Sequence, residues 1–422
     1  MDNAGVWAQF SQQEETSYFD GVALLPLAER YGTPLYVYSA AHILAQYHAY
    51  HEHGREASVA LHYAVKANSN LSILQLLARA GAGFDIVSGG ELARVLEAGG
   101  DPKQIVFSGV AKSDAELRAA LRAGIGCFNA ESRFELERIA AISEEEGVVA
   151  PIAIRVNPDV DPQTHPYIST GLKENKFGVS MDDALALYQY AAGHPALRVL
   201  GMSGHIGSQI TTLQPFLDAL DNMLDLAATL EEAGITLTHI DMGGGLGIVT
   251  PEQTQIPQPS DLSAALLDRL SATPYALHLE PGRSLVGNAG YLLSSVVGVK
   301  DQSGHHFIML DAGMNDYIRP ALYQVRPAFR NLSHNQGVER RSEMVGPVCE
   351  TGDTFARAYP MSAQAGDVLA MAGVGAYGMA MSGDYNSRPK AAEVLIEDGA
   401  ARLIRRRQDV AELWAQEIDY LS

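Results

Sequence analysis

Lys66 sits at the end of a short strand-like run, His62-Tyr63-Ala64-Val65-Lys66-Ala67-Asn68, where a turn begins. Burying an ammonium costs several kcal/mol unless it is paired or neutralised. A lysine held at such a position is useful if its amine reacts, most simply by forming a Schiff base with an aldehyde cofactor. The plain alternative is a lysine that snorkels from a strand end into water. Other groups along the chain bear on that choice. Asp241-Met242-Gly243-Gly244-Gly245-Leu246-Gly247 strips three consecutive positions of Cβ, so backbone N–H groups can close on an anion. It is not a dinucleotide fingerprint, because the Gly-x-Gly-x-x-Gly spacing is absent. Glu280-Pro281-Gly282-Arg283 sets a carboxylate beside a guanidinium. The first can keep a pyridine nitrogen protonated, and the second can grip a carboxylate with two hydrogen bonds. His205-Ile206-Gly207-Ser208 suits ring stacking and phosphate bonding.

Further on, Asp311–Tyr323 combines turn residues with Arg319 and two tyrosines, and Gly346–Asp353 places Cys349 and Glu350 between turn glycines. Cys349 has the setting of a reactive thiol, whereas Cys127 reads as a small buried hydrophobe. Gly375-Ala376-Tyr377-Gly378 offers a phenol able to reach a phosphate oxygen.

These groups need a frame. Eight β-rich runs alternate with helical patterns: 58–66, 83–88, 105–109, 126–130, 151–158, 200–208, 237–245 and 276–285. Amphipathic stretches lie between them at 70–80, 113–123, 132–146, 181–192 and 213–233, and Ser113 with Glu116 has capping-box spacing. Eight strand–helix repeats favour a closed (β/α)8 barrel, a TIM-like α/β fold with its chemistry at the C-terminal strand ends. In that frame the glycine loop follows the seventh strand, a frequent phosphate position, and Glu280 ends the eighth. After residue 290 short β runs dominate (296–300, 306–311, 367–372, 392–397 and 401–405), with an Asp398-Gly399 hairpin turn and a final helical pattern over 409–420. The expected division is a barrel over 40–285 and a mostly antiparallel β domain from 1–39 and 286–422, with Thr33–Ser39 as a strand available to it.

Composition narrows the partners. A formal charge of −20 over 422 residues leaves no basic surface for nucleic acid and disfavours anionic membranes. No apolar run has the length of a membrane span, and the polar, acidic N-terminus lacks a signal-peptide pattern. Two cysteines, far apart and without metal-ligand spacing, give no disulfide framework and no metal site, and favour the reducing cytoplasm.

In this order, YAVKAN, FDIVSGGE, HIGSQ, DMGGGLG, EPGRSLVG, DAGMNDYIRPALY, GPVCETGD and GAYGMAMSGDYNSRP resemble the fold-type III pyridoxal-phosphate-dependent decarboxylases, from about Thr33 to Arg407. The resemblance implies that Lys66 is the covalent tether of pyridoxal 5'-phosphate and that His205 stacks on its ring. Gly243, Gly244 and Gly245, with Ser208, Gly282 and Tyr377, would hold the cofactor and its phosphate, and Glu280 would face the pyridine nitrogen. Arg283 would lie at both cofactor and substrate. Arg319, Tyr323 and Tyr377 would bind substrate, Glu350 its distal amine, and Cys349 would return a proton. It further implies a homodimer in which the Cys349–Glu350 segment of one subunit completes the site of the other. Thr351 and Tyr317 depart from the residues common in the family (serine and leucine) without touching a catalytic role. Arg319 and Glu350 supply the two signs that a distal zwitterion needs, so the implied substrate is meso-2,6-diaminopimelate and the products lysine and CO2. Another basic or carrier-linked amino acid is the alternative substrate. A catalytically dead regulatory homologue is disfavoured by the presence of both Lys66 and Cys349.

Overall fold

The computed structural model describes residues 5–7, 9–52, 59–161, 176–333 and 337–421. The chain divides into two compact units, one of residues 46–247 and 256–284, the other of residues 1–45, 248–255 and 285–422.

The first unit is a closed parallel barrel of eight strands. They are β1 (Val59–Ala64), β2 (Gly83–Ile86), β3 (Ile105–Phe107), β4 (Cys127–Ala130), β5 (Ala150–Asn157), β6 (Leu197–Gly204), β7 (His239–Asp241) and β8 (Ala276–Leu279). Each pairs with the next in parallel, and β8 pairs with β1 to close the ring. The eight sequence runs therefore mark the eight strands; Ser58, where the first begins, lies outside the described residues. The helices start where local chemistry dictates. Asn70 caps Leu71–Arg79 by accepting from the Ser72 N–H at 2.9 Å, and Ser113 with Glu116 forms the expected capping box on Asp114–Ala123. Gly124, with φ of 69°, ends that helix in the left-handed conformation that glycine adopts without penalty. Inside the barrel lies a histidine layer. His62 Nε2 is 3.1 Å from His278 Nδ1, and the His239 and His278 rings stack at 4.0 Å. Burial pushes His239 down to about 4 and lowers His278 as well, so these two stacked rings pack in their neutral form.

The second unit is β-rich. Its long strand Gly290–Gln302 pairs antiparallel with Leu35–Ser39, His305–Leu310 and Val368–Ala372. The expectation that the 33–39 segment joins this sheet holds: Leu35–Ser39 also pairs, in parallel, with Ala392–Glu397. Asp398 and Gly399 have φ of 52° and 73°, as a tight hairpin turn demands, and join that strand to Ala400–Arg405. The core is apolar, with Leu35, Val37, Leu293, Val394 and Ile396 fully buried and Phe19 stacked on Tyr291 at 4.1 Å. One expectation fails. The 409–420 pattern folds as two 3₁₀ turns, Val410–Leu413 and Ile418–Tyr420, instead of a helix. Its repeating apolar residues Val410, Trp414 and Ile418 are all exposed. A short helix without a buried face lacks the packing that would stabilise it.

Candidate active site

Barrel closure places the candidate lysine. Lys66 lies in a single 3₁₀ turn, Val65–Ala67, immediately after β1. The Ala64 N–H donates to the Pro281 carbonyl at 3.0 Å, tying the end of the first strand to the segment after the eighth. Gly282 makes that junction possible, since a Cβ there would stand 3.1 Å from the Cβ atoms of Ala64 and Ala67. Lys66 Nζ donates to Asp85 Oδ2, at the end of β2, at 2.7 Å. Asp85 is fully buried while the lysine side chain retains 38% of its exposure, so the amine is held by an anion and still reachable. The other Asp85 oxygen is buried without a hydrogen-bond partner.

Glu280 follows β8 and is buried. Its Oε1 accepts from Asn129 Nδ2, at the end of β4, at 3.1 Å, and from the Ser108 hydroxyl, just after β3, at 3.5 Å. Burial first, then the neighbouring carboxylates Asp241 and Asp85, push this carboxyl well above its ordinary range. His205 follows β6. Desolvation, followed by the positive charges of Arg155 and Lys66, holds its imidazole well below its usual pKa and keeps it neutral.

The glycine loop is built for close approach. The Gly243 N–H donates to Asp241 Oδ1 at 2.8 Å, and its carbonyl accepts from the Glu280 N–H at 2.8 Å. Gly243 and Gly245 have φ of 65° and 112°. A Cβ on Gly244 would meet the Glu280 carbonyl at 2.3 Å, and one on Gly245 the Gly207 carbonyl at 2.4 Å. Beside this loop, Arg283 reaches the Ser208 hydroxyl through Nη2 at 2.9 Å. The barrel thus gathers Lys66, His205, Ser208, the three glycines, Glu280 and Arg283 at the C-terminal ends of its strands. A flanking ion network involves Arg155, which donates to Glu131 at 3.2 Å, while the buried Lys112 donates to Glu135 at 2.5 Å. Sequence reasoning had assigned no role to Asp85, Asn129, Ser108 or Arg155. Asp85 alone carried a signal, as an acidic residue inside the FDIVSGGE motif.

The second unit holds the remaining candidates in two groups. Arg319 is buried, with its guanidinium 5.1 Å from the Tyr323 ring centre and 5.6 Å from that of Tyr377. Cys349 and Glu350 are exposed on the loop before strand Thr354–Met361. Glu350 accepts from the Tyr385 hydroxyl at 2.7 Å, a partner that sequence reasoning passed over.

This donor set fits pyridoxal 5'-phosphate. A reachable amine stands on an anion, a buried carboxyl can meet a ring nitrogen, a neutral imidazole offers a flat face, and a Cβ-free loop can cradle an anion. Among the described residues no cluster of His, Cys, Asp and Glu is arranged to hold a metal ion, and no helix is long and apolar enough to cross a membrane.

Comparison with known proteins agrees with this geometry. Residues 40–287 match the family model of the pyridoxal-dependent decarboxylase, pyridoxal binding domain. The chain is 50% identical over 408 residues to a diaminopimelate decarboxylase of Pseudomonas aeruginosa, covering 97% of this chain and 98% of that one. Among solved structures, diaminopimelate decarboxylase from M. jannaschii in complex with L-lysine superposes with a TM-score of 0.93 at 37% identity, covering 98% of both chains. The Helicobacter pylori enzyme complexed with L-lysine gives 0.90 at 40% identity, covering 94% of this chain and all of that one.

Proposed function

The chain belongs to the pyridoxal-dependent decarboxylases, and from that premise we propose that it decarboxylates meso-2,6-diaminopimelate to L-lysine and CO2 with pyridoxal 5'-phosphate as cofactor. When bound, the cofactor supplies an electron sink for the pair that the departing CO2 leaves behind. The chain's own residues bind, orient and move protons. Lys66 is the tether, and Asp85 holds its Nζ in place until it reacts. Glu280 keeps its proton when alone, because burial and neighbouring carboxylates disfavour the anion. It would therefore face the pyridine nitrogen and could supply a proton there. Neutral His205 would stack on the ring, and Gly243–Gly245, Gly282, Ser208, Arg283 and Tyr377 would hold the cofactor. Arg283 would also serve the substrate; Arg319, Tyr323 and Tyr377 would take a carboxylate and Glu350 the distal ammonium. Cys349 Sγ returns the proton to the carbon that lost CO2.

The observation that carries this reading is the convergence of Lys66, Glu280, His205 and the glycine loop on one end of one barrel. A homodimer, in which the Cys349–Glu350 loop of each protomer serves its partner's site, is supported by the exposure of both residues on their own unit. A cytoplasmic location is supported by two free thiols, one buried and one exposed. Purified protein supplied with pyridoxal phosphate should release CO2 from meso-diaminopimelate and yield lysine. Turnover of lysine or ornithine at the same rate would overturn the roles of Arg319 and Glu350.

A further inference from the structure

The loop bearing Cys349 and Glu350 is fixed from two sides. From within, the buried Asp353 carboxylate accepts from the Val348 and Met314 N–H groups, each at 2.7 Å. Gly346 belongs to the same clasp, since its N–H donates to the Asp353 carbonyl at 3.0 Å and a Cβ on it would strike the Asp353 carboxylate. These bonds set the path of the main chain. They leave the Glu350 side chain unset.

The second side is a single turn further along the chain. The Cys349 N–H donates to Asn386 Oδ1 at 3.0 Å, and the Tyr385 hydroxyl donates to Glu350 Oε1 at 2.7 Å. Two adjacent residues thus reach the two adjacent residues proposed for proton return and distal-amine binding. The turn is itself held in shape. Asn386 and Ser387 have φ of 58° and 51°, a left-handed conformation that asparagine tolerates better than most residues. Before it, the Gly383 N–H donates to the Asn315 carbonyl at 2.9 Å; after it, Arg388 donates to the Asp311 carbonyl at 2.8 Å.

We propose that Tyr385 and Asn386 are positioning residues for this pair: Tyr385 selects which oxygen of Glu350 meets the substrate's distal ammonium, and Asn386 sets the main chain from which Cys349 delivers its proton. The proposal rests on the decarboxylase reading above. A carboxylate has two oxygens and, on a long exposed side chain, many rotamers. With Oε1 taken by a phenol, Oε2 is the oxygen left to face an ammonium, and the rotamer is chosen before substrate arrives. The bond to Glu350 raises the affinity of the Tyr385 hydroxyl for its proton, so the phenol remains a donor at neutral pH. A phenylalanine would fill the same space without selecting an oxygen.

Steady-state kinetics on the cofactor-loaded enzyme test this. Tyr385→Phe should raise KM for meso-diaminopimelate about tenfold, the worth of a hydrogen bond to a charged group, with kcat within about twofold. Cofactor absorbance and Tm should match the parent. In a Glu350→Gln background the same substitution should add almost nothing, because its action passes through Glu350. Asn386→Ala should lower kcat at unchanged KM, and Asn386→Asp, which keeps both an acceptor and the left-handed turn, should restore it. An unchanged KM in Tyr385→Phe would overturn the proposal. So would a KM effect that multiplies fully with Glu350→Gln, or a Tm loss without a KM effect. A parent enzyme that releases no CO2 from meso-diaminopimelate would instead overturn the decarboxylase reading itself.

Discussion

The barrel site and the Cys349–Glu350 loop solve positioning in opposite ways. In the barrel, charges are buried and answer one another. Asp85 is fully buried under Lys66, Glu280 is pressed between other carboxylates, and burial holds His205 neutral. Each group is fixed by the strand end it leaves. On the loop, Cys349 and Glu350 are exposed, and a handful of hydrogen bonds from Asp353, Tyr385 and Asn386 set their geometry. Burial can tune protonation and electronic chemistry, because desolvation multiplies every charge effect. An exposed turn cannot, but it can present a carboxylate and a thiol to a ligand that brings its own charges. The first arrangement suits a cofactor common to many substrates, and the second suits selection of one.

Substitutions should separate the two regions, and the largest effect belongs to the barrel. Lys66→Ala should lower turnover by about a thousandfold or more and abolish the visible cofactor absorbance that borohydride bleaches in the parent. Cys349→Ala should cost about a hundredfold in kcat, within the usual range for loss of a proton donor, while cofactor absorbance stays intact. Loss of that absorbance in Cys349→Ala would blur the comparison, since the loop would then be holding cofactor. Gly244→Ala should weaken cofactor binding about tenfold in an absorbance titration, because its Cβ meets the Glu280 carbonyl and pushes the anion loop outward.

The smallest effect is one of pH. Burial raises Glu91, which accepts from the Val87 N–H at 2.7 Å, from 4.5 to about 7. The folded cofactor-free protein therefore binds this proton more tightly than the unfolded chain. That stability is fully present below pH 4.5 and lost as pH rises through about 7. Glu91→Gln should flatten this part of the profile, so its Tm advantage over the parent should grow between pH 5 and pH 8. A constant difference across that range would show that Glu91 is an ordinary surface carboxylate.

The two regions also differ in how far they could be read from sequence. The barrel was legible because β/α alternation is a local signal repeated eight times, and because strand ends tell where the chemistry gathers. Lys66, Glu280 and the glycine loop followed from that geometry. Asp85 and Asn129 did not, since a polar residue ending a strand looks the same whether it faces a lysine or water until the ring closes. In the second unit, strands such as Arg340–Val345 and Thr354–Met361 were missed because their charged and exposed residues weaken the period-two pattern. The last segment misled in the other direction. Val410, Trp414 and Ile418 have helical spacing, but the fold offers them nothing to pack against. The glycine-flanked setting marked Cys349 as a reactive thiol, but its part in proton return and the role of Glu350 came only through resemblance, because an exposed turn leaves no periodic trace. Tyr385 was invisible for the same reason, lying 35 residues from the carboxylate it holds.

The central claim is that the amine resting on Asp85 is the covalent tether of the cofactor. Protein loaded with pyridoxal phosphate, reduced with borohydride and mapped by peptide mass spectrometry tests it most directly. One pyridoxyl group should appear per chain, on the peptide containing Lys66. A label on another lysine, or none, would contradict the account.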